Sequence, residues 1–301
     1  MLGGMEKLDD KITVRLARPE DRGAVLAFCV NTFHWGDYLP EVWDHWLTDP
    51  SGRLLVAEME GLPVGIQHVL FLGDGEVWLQ GLRVDPAVRR HGVANALFKA
   101  GQDEAGAAHA RIVRLFTATG NEATHHMLAE AGFHLVVQFV DQGAPANAET
   151  GPEPEAAVPA ELDELWRLAA ASEAYRVAEG TYVVDWHCLA LTRERLAQHV
   201  AAGEALVVRR EGRPAALALA AFAEGEESLS VGGLFGAAEV LTDLGRGLRA
   251  YAARLAAPSV FAYLPNVPSL AAPLAAAGYA SGREDGHSLE MDLFAKELPS
   301  P

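Results

Sequence analysis

The spacing of apolar residues changes repeatedly along the chain, and these changes predict an alternation of strands and helices. Apolar or alternating stretches typical of strands lie at 12–16, 54–72, 77–84, 112–118 and 133–140. The stretch 54–72 contains a turn at Glu60-Gly61-Leu62-Pro63, which predicts a hairpin. Helical spacing separates the other strands, at about 19–29, 95–109 and 123–131. The first half therefore predicts an α/β domain.

The pattern of the first half returns in the second half. The turn Glu60-Gly61-x-Pro63 falls in register with Glu211-Gly212-x-Pro214. A longer series is repeated with one extra residue, Phe116…Asn121…Gly132-Phe133 against Phe261…Asn266…Gly278-Tyr279. An internal repeat of this length predicts a duplicated domain, with the two copies at 11–140 and 160–298.

The stretch 141–159 differs from both halves. It is dominated by Asp, Glu, Pro, Ala and Gly, has no basic residue and shows no apolar periodicity. Prolines and carboxylate repulsion favour an extended chain. We predict an acidic, Pro-rich linker here.

Composition and charge narrow the classes of function. The formal net charge of −17 argues against nucleic acid, which requires a basic surface. It suits a cationic substrate such as an amine, or simply serves solubility. Cys29 and Cys188 lie far apart, so we expect no disulfide and a cytoplasmic protein. The first eleven residues lack the apolar core of a signal peptide, and four prolines interrupt the uncharged stretch 255–282. We expect a soluble protein without a membrane segment.

The stretch that follows the strand at 77–84 carries the clearest chemistry. Asp85-Pro86 ends the strand, and a basic turn with one glycine then leads into a helix, with the sequence Arg89-Arg90-His91-Gly92-Val93-Ala94. The first N–H groups of a helix and its dipole favour an anion. Gly92 allows close approach of the backbone, and the arginines can hold phosphate oxygens. The alternative is a solvated basic turn that caps a helix.

These residues resemble a known family. Arg89-x-x-Gly92-x-Ala94, after a strand that ends in Val84-x-Pro86, is similar to the pyrophosphate loop of the GCN5-related N-acetyltransferases (GNAT). A second mark is Phe116-Thr117-Ala118 followed by Asn121, with Gly132-Phe133 eleven residues later. The resemblance covers nearly the whole chain, but the loop occurs only once. In the second copy no arginine lies between the corresponding strand at 229–234 and Arg246, and Glu239 stands where a positive charge is wanted.

The resemblance implies an α/β fold of two tandem domains, each with a mixed, mostly antiparallel sheet flanked by helices. It implies acetyl-CoA as the cosubstrate, bound by the first copy, and no metal. The strands at 77–84 and 112–118 would separate at a bulge and admit the pantetheine arm. The implied contacts are backbone groups of Leu82, Arg83 and Val84, the loop Arg89, Arg90, His91, Gly92, Val93 and Ala94, and Asn121.

The acceptor side is implied by the segment between the first two helices. There, His34, Trp35, Asp37 and Tyr38 would border the substrate cleft together with Gln80, through cation–π and ionic contacts. For Trp35 and Tyr38 a place in the core is an equal alternative. Trp43 and Trp46, three residues apart, are predicted to be the core face of a helix. The acceptor is an amine, either a small molecule or a peptide N-terminus, and the sequence leaves a homodimer open.

In the family the amine attacks the thioester directly, and both usual catalytic side chains are replaced in this chain. Gln80 stands where some members have a glutamate base, and Leu128 stands where a tyrosine acid is usual. Glu76, His34, His68 and His125 are candidate replacements, and we predict Glu76 and His125 as the catalytic pair. Leu128 is expected to face the cofactor cleft. An N-acyltransferase is the favoured function, and a non-catalytic CoA-binding or scaffolding protein is the alternative.

Overall fold

The computed structural model describes residues 12–30, 32, 36–222, 227–282 and 289–299. The predicted residues His34 and Trp35, and the amino-terminal stretch 1–11, lie outside this part. The chain divides into two compact units. The first comprises residues up to Leu115 together with Met127–Phe133 and the end of the chain from Ala295, and the second comprises Phe116–His126 and His134–Phe294.

The helices and strands follow the predicted alternation. In the first half they are β1 (Ile12–Leu16), α1 (Arg22–Cys29), α2 (Leu39–Thr48), β2 (Gly52–Met59), β3 (Leu62–Gly73), β4 (Glu76–Val84), α3 (Val93–Ala107), β5 (Ile112–Ala118), α4 (Glu122–Glu130) and β6 (His134–Pro145). They continue with β7 (Glu155–Ala156), α5 (Leu162–Ala171), α6 (Glu173–Val177), β8 (Thr181–Val184), β9 (His187–Ala190), α7 (Arg193–Ala202), β10 (Ala205–Arg210), β11 (Arg213–Phe222), β12 (Leu229–Gly236), α8 (Ala238–Arg254), β13 (Ser259–Pro265), α9 (Pro268–Ala276) and β14 (Glu290–Glu297).

The sheet of the first unit is mixed, as predicted. β1, β2, β3 and β4 pair with their sequence neighbours in antiparallel fashion, and β4 then pairs with β5 in parallel. The turn between β2 and β3 uses Glu60 and Gly61, both at positive φ, which confirms the predicted hairpin. Successive residues of β3 face opposite helices. A Cβ at Gly65 would touch α3, whereas Ile66 belongs to the core formed with α1 and α2.

The second unit repeats this order of strands. β10, β11 and β12 are antiparallel neighbours, and β12 pairs in parallel with β13. β6 extends the sheet on the far side of β13, and β7 pairs with the edge of β10. β8 and β9 form a separate two-stranded hairpin.

The structure differs from the sequence interpretation around residue 140. β6 continues to Pro145 and pairs antiparallel with β13, so residues 134–140 of the predicted first domain lie in the second unit. Residues 141–145 of the predicted linker are strand, and Asp141 and Ala144 are buried. The composition of the stretch gave no sign of this, because the pairing partner lies more than a hundred residues later in the sequence.

The uncharged stretch at 255–282 is divided into separate elements. It contains the strand β13, a short connection and the helix α9, which begins at Pro268. Among the residues that the structure describes, no helix combines the length and the apolar character needed to cross a membrane.

Candidate functional site

β4 contains a bulge in its second half. Ile66 pairs with Arg83 and His68 pairs with Gln80, so Gly81 and Leu82 share the place opposite one residue of β3. Gly81 has a φ of +67°, a conformation that favours glycine. The bulge that the resemblance implied is therefore confirmed.

The strands β4 and β5 separate shortly before this bulge. Their pairing covers only Glu76–Trp78 with Ile112–Arg114. Between Leu79 and Val84, in the described part of the chain, β4 has no strand partner on that side. Backbone N–H and C=O groups in such a gap are available to an extended ligand. The carbonyl of Leu82 already accepts a hydrogen bond from Arg83 Nη1 at 3.1 Å.

The loop after β4 leads directly into the positive end of a long helix. The Asp85 carboxylate accepts a hydrogen bond from the N–H of Ala87 at 2.8 Å and fixes a short 3-10 turn. Gly92, with φ +86°, is the N-cap of the 15-residue helix α3 and offers no side chain to the first N–H groups.

The side chains around this N-terminus also suit an anion. Arg89, Arg90 and His91 are exposed, and His91 Nδ1 lies 3.2 Å from the carbonyl of Val88. Neither arginine takes part in an ion pair among the described residues. Val93 is buried and anchors the helix, whereas Ala94 is half-buried. Uncommitted guanidinium groups next to free helical N–H groups fit a diphosphate.

On the other side of β4, Arg83 forms a buried ion pair with Asp37. Arg83 Nε donates to Asp37 Oδ2 at 2.8 Å, and the side chains expose 13% and 2% of their surface. The guanidinium also lies 5.2 Å from the ring centre of Tyr38. Burial lowers the pKa of Arg83, but the hydrogen bonds and charge interactions with Asp37 and Tyr38 together outweigh burial, and the pKa is raised. Burial raises the pKa of Tyr38, which therefore stays neutral at physiological pH.

Trp46 and His68 lie beneath the bulge. Their rings stack at 4.4 Å with an interplanar angle of 7°, and Trp46 covers Gly81 so closely that a Cβ there would be 2.6 Å from the indole. Gln80 Nε2 lies 3.0 Å from His68 Nδ1. The predicted place of Trp43 and Trp46 in the core is confirmed. The contact of Trp46 with the bulge was missed, although a glycine within a strand pattern is a known sign of such a contact.

Two of the candidate catalytic residues, Glu76 and His68, are buried within the sheet. Glu76 is buried at the paired end of β4 and forms an ion pair with Arg114. His68 is 1% exposed, with its Nε2 edge against Gly52. These contacts indicate that Glu76 and His68 stabilise the sheet rather than transfer a proton.

Burial raises the pKa of the Cys29 thiol to about 12, so Cys29 is not a thiolate nucleophile at neutral pH.

Asn121 and His125 belong to the second unit, where each has a polar contact. Asn121 Oδ1 accepts the N–H of Thr124 at 3.2 Å, as a helix N-cap does. His125 Nε2 lies 3.4 Å from Asp292 Oδ2, so the imidazole has an acidic neighbour. The roles of Glu76, Asn121 and His125 remain predictions.

Leu128 does not have the surroundings expected from the sequence. It exposes 0% of its surface, so the prediction that it faces a cleft is wrong. The physical reason is that α4 turns this position inward, where the apolar side chain is buried in the first unit.

Comparisons with known proteins agree with this geometry. The model of the acetyltransferase (GNAT) family matches residues 21–133. Histidine N-acetyltransferase from Oreochromis niloticus is 33% identical over 85 residues, which are 28% of this chain and 25% of that protein. The chain thus aligns with only about a quarter of the length of this curated relative.

Solved structures resemble the chain over nearly its whole length. A GCN5-related N-acetyltransferase from Sphaerobacter thermophilus superposes with a TM-score of 0.63 at 15% identity, covering 97% of this chain and 98% of that one. Another from Kribbella flavida gives a TM-score of 0.51 at 15% identity, with 95% and 71% covered. At these identities the likeness concerns the fold alone.

Proposed function

We propose that the first unit transfers an acetyl group from acetyl-CoA to an amine, because residues 21–133 match the model of the acetyltransferase (GNAT) family. One observation supports this most directly: a single segment contains the bulged end of β4, the gap beside β5 and the Gly92-capped helix α3. The gap suits the pantetheine arm, and the helix N-terminus suits the diphosphate.

The positive charges of the loop suit the negatively charged diphosphate of acetyl-CoA. Arg89 and Arg90 would pair with phosphate oxygens, while the N–H groups from Val93 onward bind the diphosphate. A side chain at position 92 would occupy the approach of these oxygens. Backbone groups of Leu82 and Val84 would hold the arm. The bound cosubstrate supplies an activated thioester, and the chain supplies its position.

The chain contributes orientation and hydrogen bonds to the transfer. The amine nitrogen attacks the thioester carbon, the new C–N bond replaces the C–S bond, and the proton of the amine goes to solvent as CoA leaves. A backbone N–H at the bulge stabilises the oxygen during attack. Gln80 cannot accept a proton, and Glu76 is committed to Arg114. We therefore propose that the amine enters uncharged.

The acceptor is an amine of small size or a peptide N-terminus. The relatives named histidine N-acetyltransferase make free amino acids the first class to test. The net charge of −17 also suits cationic acceptors such as polyamines.

An assay of thiol release tests this function. Acetyl-CoA is combined with a panel of histidine, other amino acids, polyamines and short peptides, and the release of free CoA is measured. In parallel, calorimetry measures the binding of CoA to the protein. We expect turnover with at least one amine, at a rate that rises with pH up to the pKa of that amine. CoA binding without turnover on any amine contradicts the proposal.

A non-catalytic CoA-binding protein is the second candidate. Gln80 and Leu128 favour it, because they replace the usual base and acid of the family. A single general acid or base contributes about 10²–10⁴-fold to a rate, so its loss slows an enzyme without abolishing its activity. The amine panel distinguishes the two.

We further propose that the second unit is a degenerate copy that does not bind CoA. It has the same bulge, at Gly232 of β12, and β12 pairs with β13 only over Leu229–Val231. However, the backbone of the hairpin β8–β9 lies so close to Gly232 that a Cβ there would overlap the carbonyl of Val183. The helix that follows has Glu239 in its first turn and no arginine there.

Calorimetry should therefore give one CoA per chain. The reason is that the hairpin fills the approach to the second bulge and no basic loop follows it. The same titration of Gly92→Glu, in which the first site is blocked, should show no binding. Two equivalent sites in the parent protein would contradict the proposal that the second unit does not bind CoA.

A further inference from the structure

The ion pair between Arg83 and Asp37 connects two parts of the first unit that the sequence keeps apart. Arg83 follows the bulge directly, and Asp37 precedes α2. Asp37 Oδ1 also accepts the N–H of Leu39 at 3.0 Å, so the same carboxylate fixes the start of the helix. Arg83 Nη1 in turn donates to the carbonyl of Leu82 within the bulge.

This pair is protected from solvent. Asp37 exposes only 2% of its side chain and Arg83 13%. The ring of Tyr38 covers the guanidinium. A buried pair costs desolvation, and the removal of one partner leaves the other charge uncompensated. A buried pair of this kind contributes little net stability to a fold. The hydrogen bond from Arg83 to the carbonyl of Leu82 connects the pair to the bulge instead.

We propose that Arg83 and Asp37 are positioning residues that hold the bulged backbone of β4 in the form that receives the acyl end of the cosubstrate. The hydrogen bond to Leu82 occupies one carbonyl of the bulge and so fixes the orientation of the neighbouring peptides. Because Asp37 also anchors α2, the pair couples the acceptor-side segment to the strand that holds the thioester. This inference rests on the proposed function.

The proposal separates the two ends of the cosubstrate. The phosphates would be held by the loop from Arg89 to Gly92 and by α3, whereas the pair contacts the bulge through the carbonyl of Leu82. A disturbed bulge should therefore weaken the binding of the pantetheine and acyl end alone.

Calorimetry with two ligands tests this separation. Acetyl-CoA reaches the bulge, whereas its fragment 3′-phospho-ADP ends at the diphosphate. For Asp37→Asn and Arg83→Met we expect acetyl-CoA to bind about tenfold more weakly, the equivalent of one charge-assisted hydrogen bond. The fragment should change by less than about twofold. Arg83→Lys keeps the charge and should recover part of the affinity.

The pair of Arg15 and Asp21 provides the matched control. It is similarly buried, with 18% and 7% of the side chains exposed, but it joins β1 to the start of α1. Asp21→Asn should lower the melting temperature and leave both affinities unchanged. If Asp37→Asn behaves as this control does, or weakens both ligands equally, the pair is only structural and the proposal is overturned.

Kinetics add a readout that a purely structural role would not change. If the protein is an acetyltransferase, Arg83→Lys should lower kcat more than it raises the KM for the amine. If the parent shows no turnover with any amine, the proposed function fails, but the contrast between the two ligands still decides the role of the pair. Should Asp37→Asn fail to fold, Arg83→Lys and Arg83→Met carry the same comparison.

Discussion

Replacement of Gly92 by glutamate should abolish the binding of acetyl-CoA and leave the fold intact. Gly92 has a φ of +86° at the N-cap of α3, where a side chain costs about 1–2 kcal/mol of strain. The new carboxylate would lie where the diphosphate meets the helix N-terminus. Charge-assisted hydrogen bonds contribute about 1.5–3 kcal/mol each, so we expect affinity to fall by at least about 100-fold.

The same helix offers a control for this prediction. Gly106 is exposed near the end of α3, and a Cβ there meets nothing within 4 Å. Gly106→Glu adds the same charge away from the loop and should bind acetyl-CoA as the parent does. Calorimetry and circular dichroism of both variants check affinity and fold. An unchanged affinity in Gly92→Glu would remove the basis for a phosphate site in this loop.

The second large effect is expected at Gly81. Alanine there meets two costs: a φ of +67°, which costs about 1–2 kcal/mol, and a Cβ only 2.6 Å from the Trp46 ring. Overpacking of a core adds about 1–3 kcal/mol. We therefore expect Gly81→Ala to lower the free energy of unfolding by several kcal/mol and to weaken the binding of acetyl-CoA through distortion of the bulge.

Gly73 separates these two costs. It lies in β3 with a φ of +81°, but nothing is within 4 Å of its Cβ position. Gly73→Ala should therefore show the backbone strain alone. The difference between the free energies of unfolding of the two variants, measured with urea, gives the cost of the clash with Trp46. Trp46→Leu should reduce this additional cost of Gly81→Ala. Equal destabilisation at both glycines would show that Trp46 does not restrict the bulge.

The sequence by itself determined the features that depend on neighbouring residues. The strand, the loop Arg89–Gly92 and the helix that follows it are encoded within one short segment, because helix starts and turns depend on local backbone preferences. The hairpin with its turn at Glu60-Gly61 was predictable for the same reason. The mixed sheet followed from the resemblance that these local motifs support.

Only the tertiary structure decided how distant residues meet. Arg83 and Asp37 are separated by 46 positions, and no periodicity in either segment signals their pairing. The cover of Trp46 over Gly81, and the burial of Leu128, likewise depend on how helices pack on the sheet. Local patterns specify which elements form and which of their faces are apolar. They do not specify which side chain of one element faces which residue of another, because the packing of the whole unit decides this.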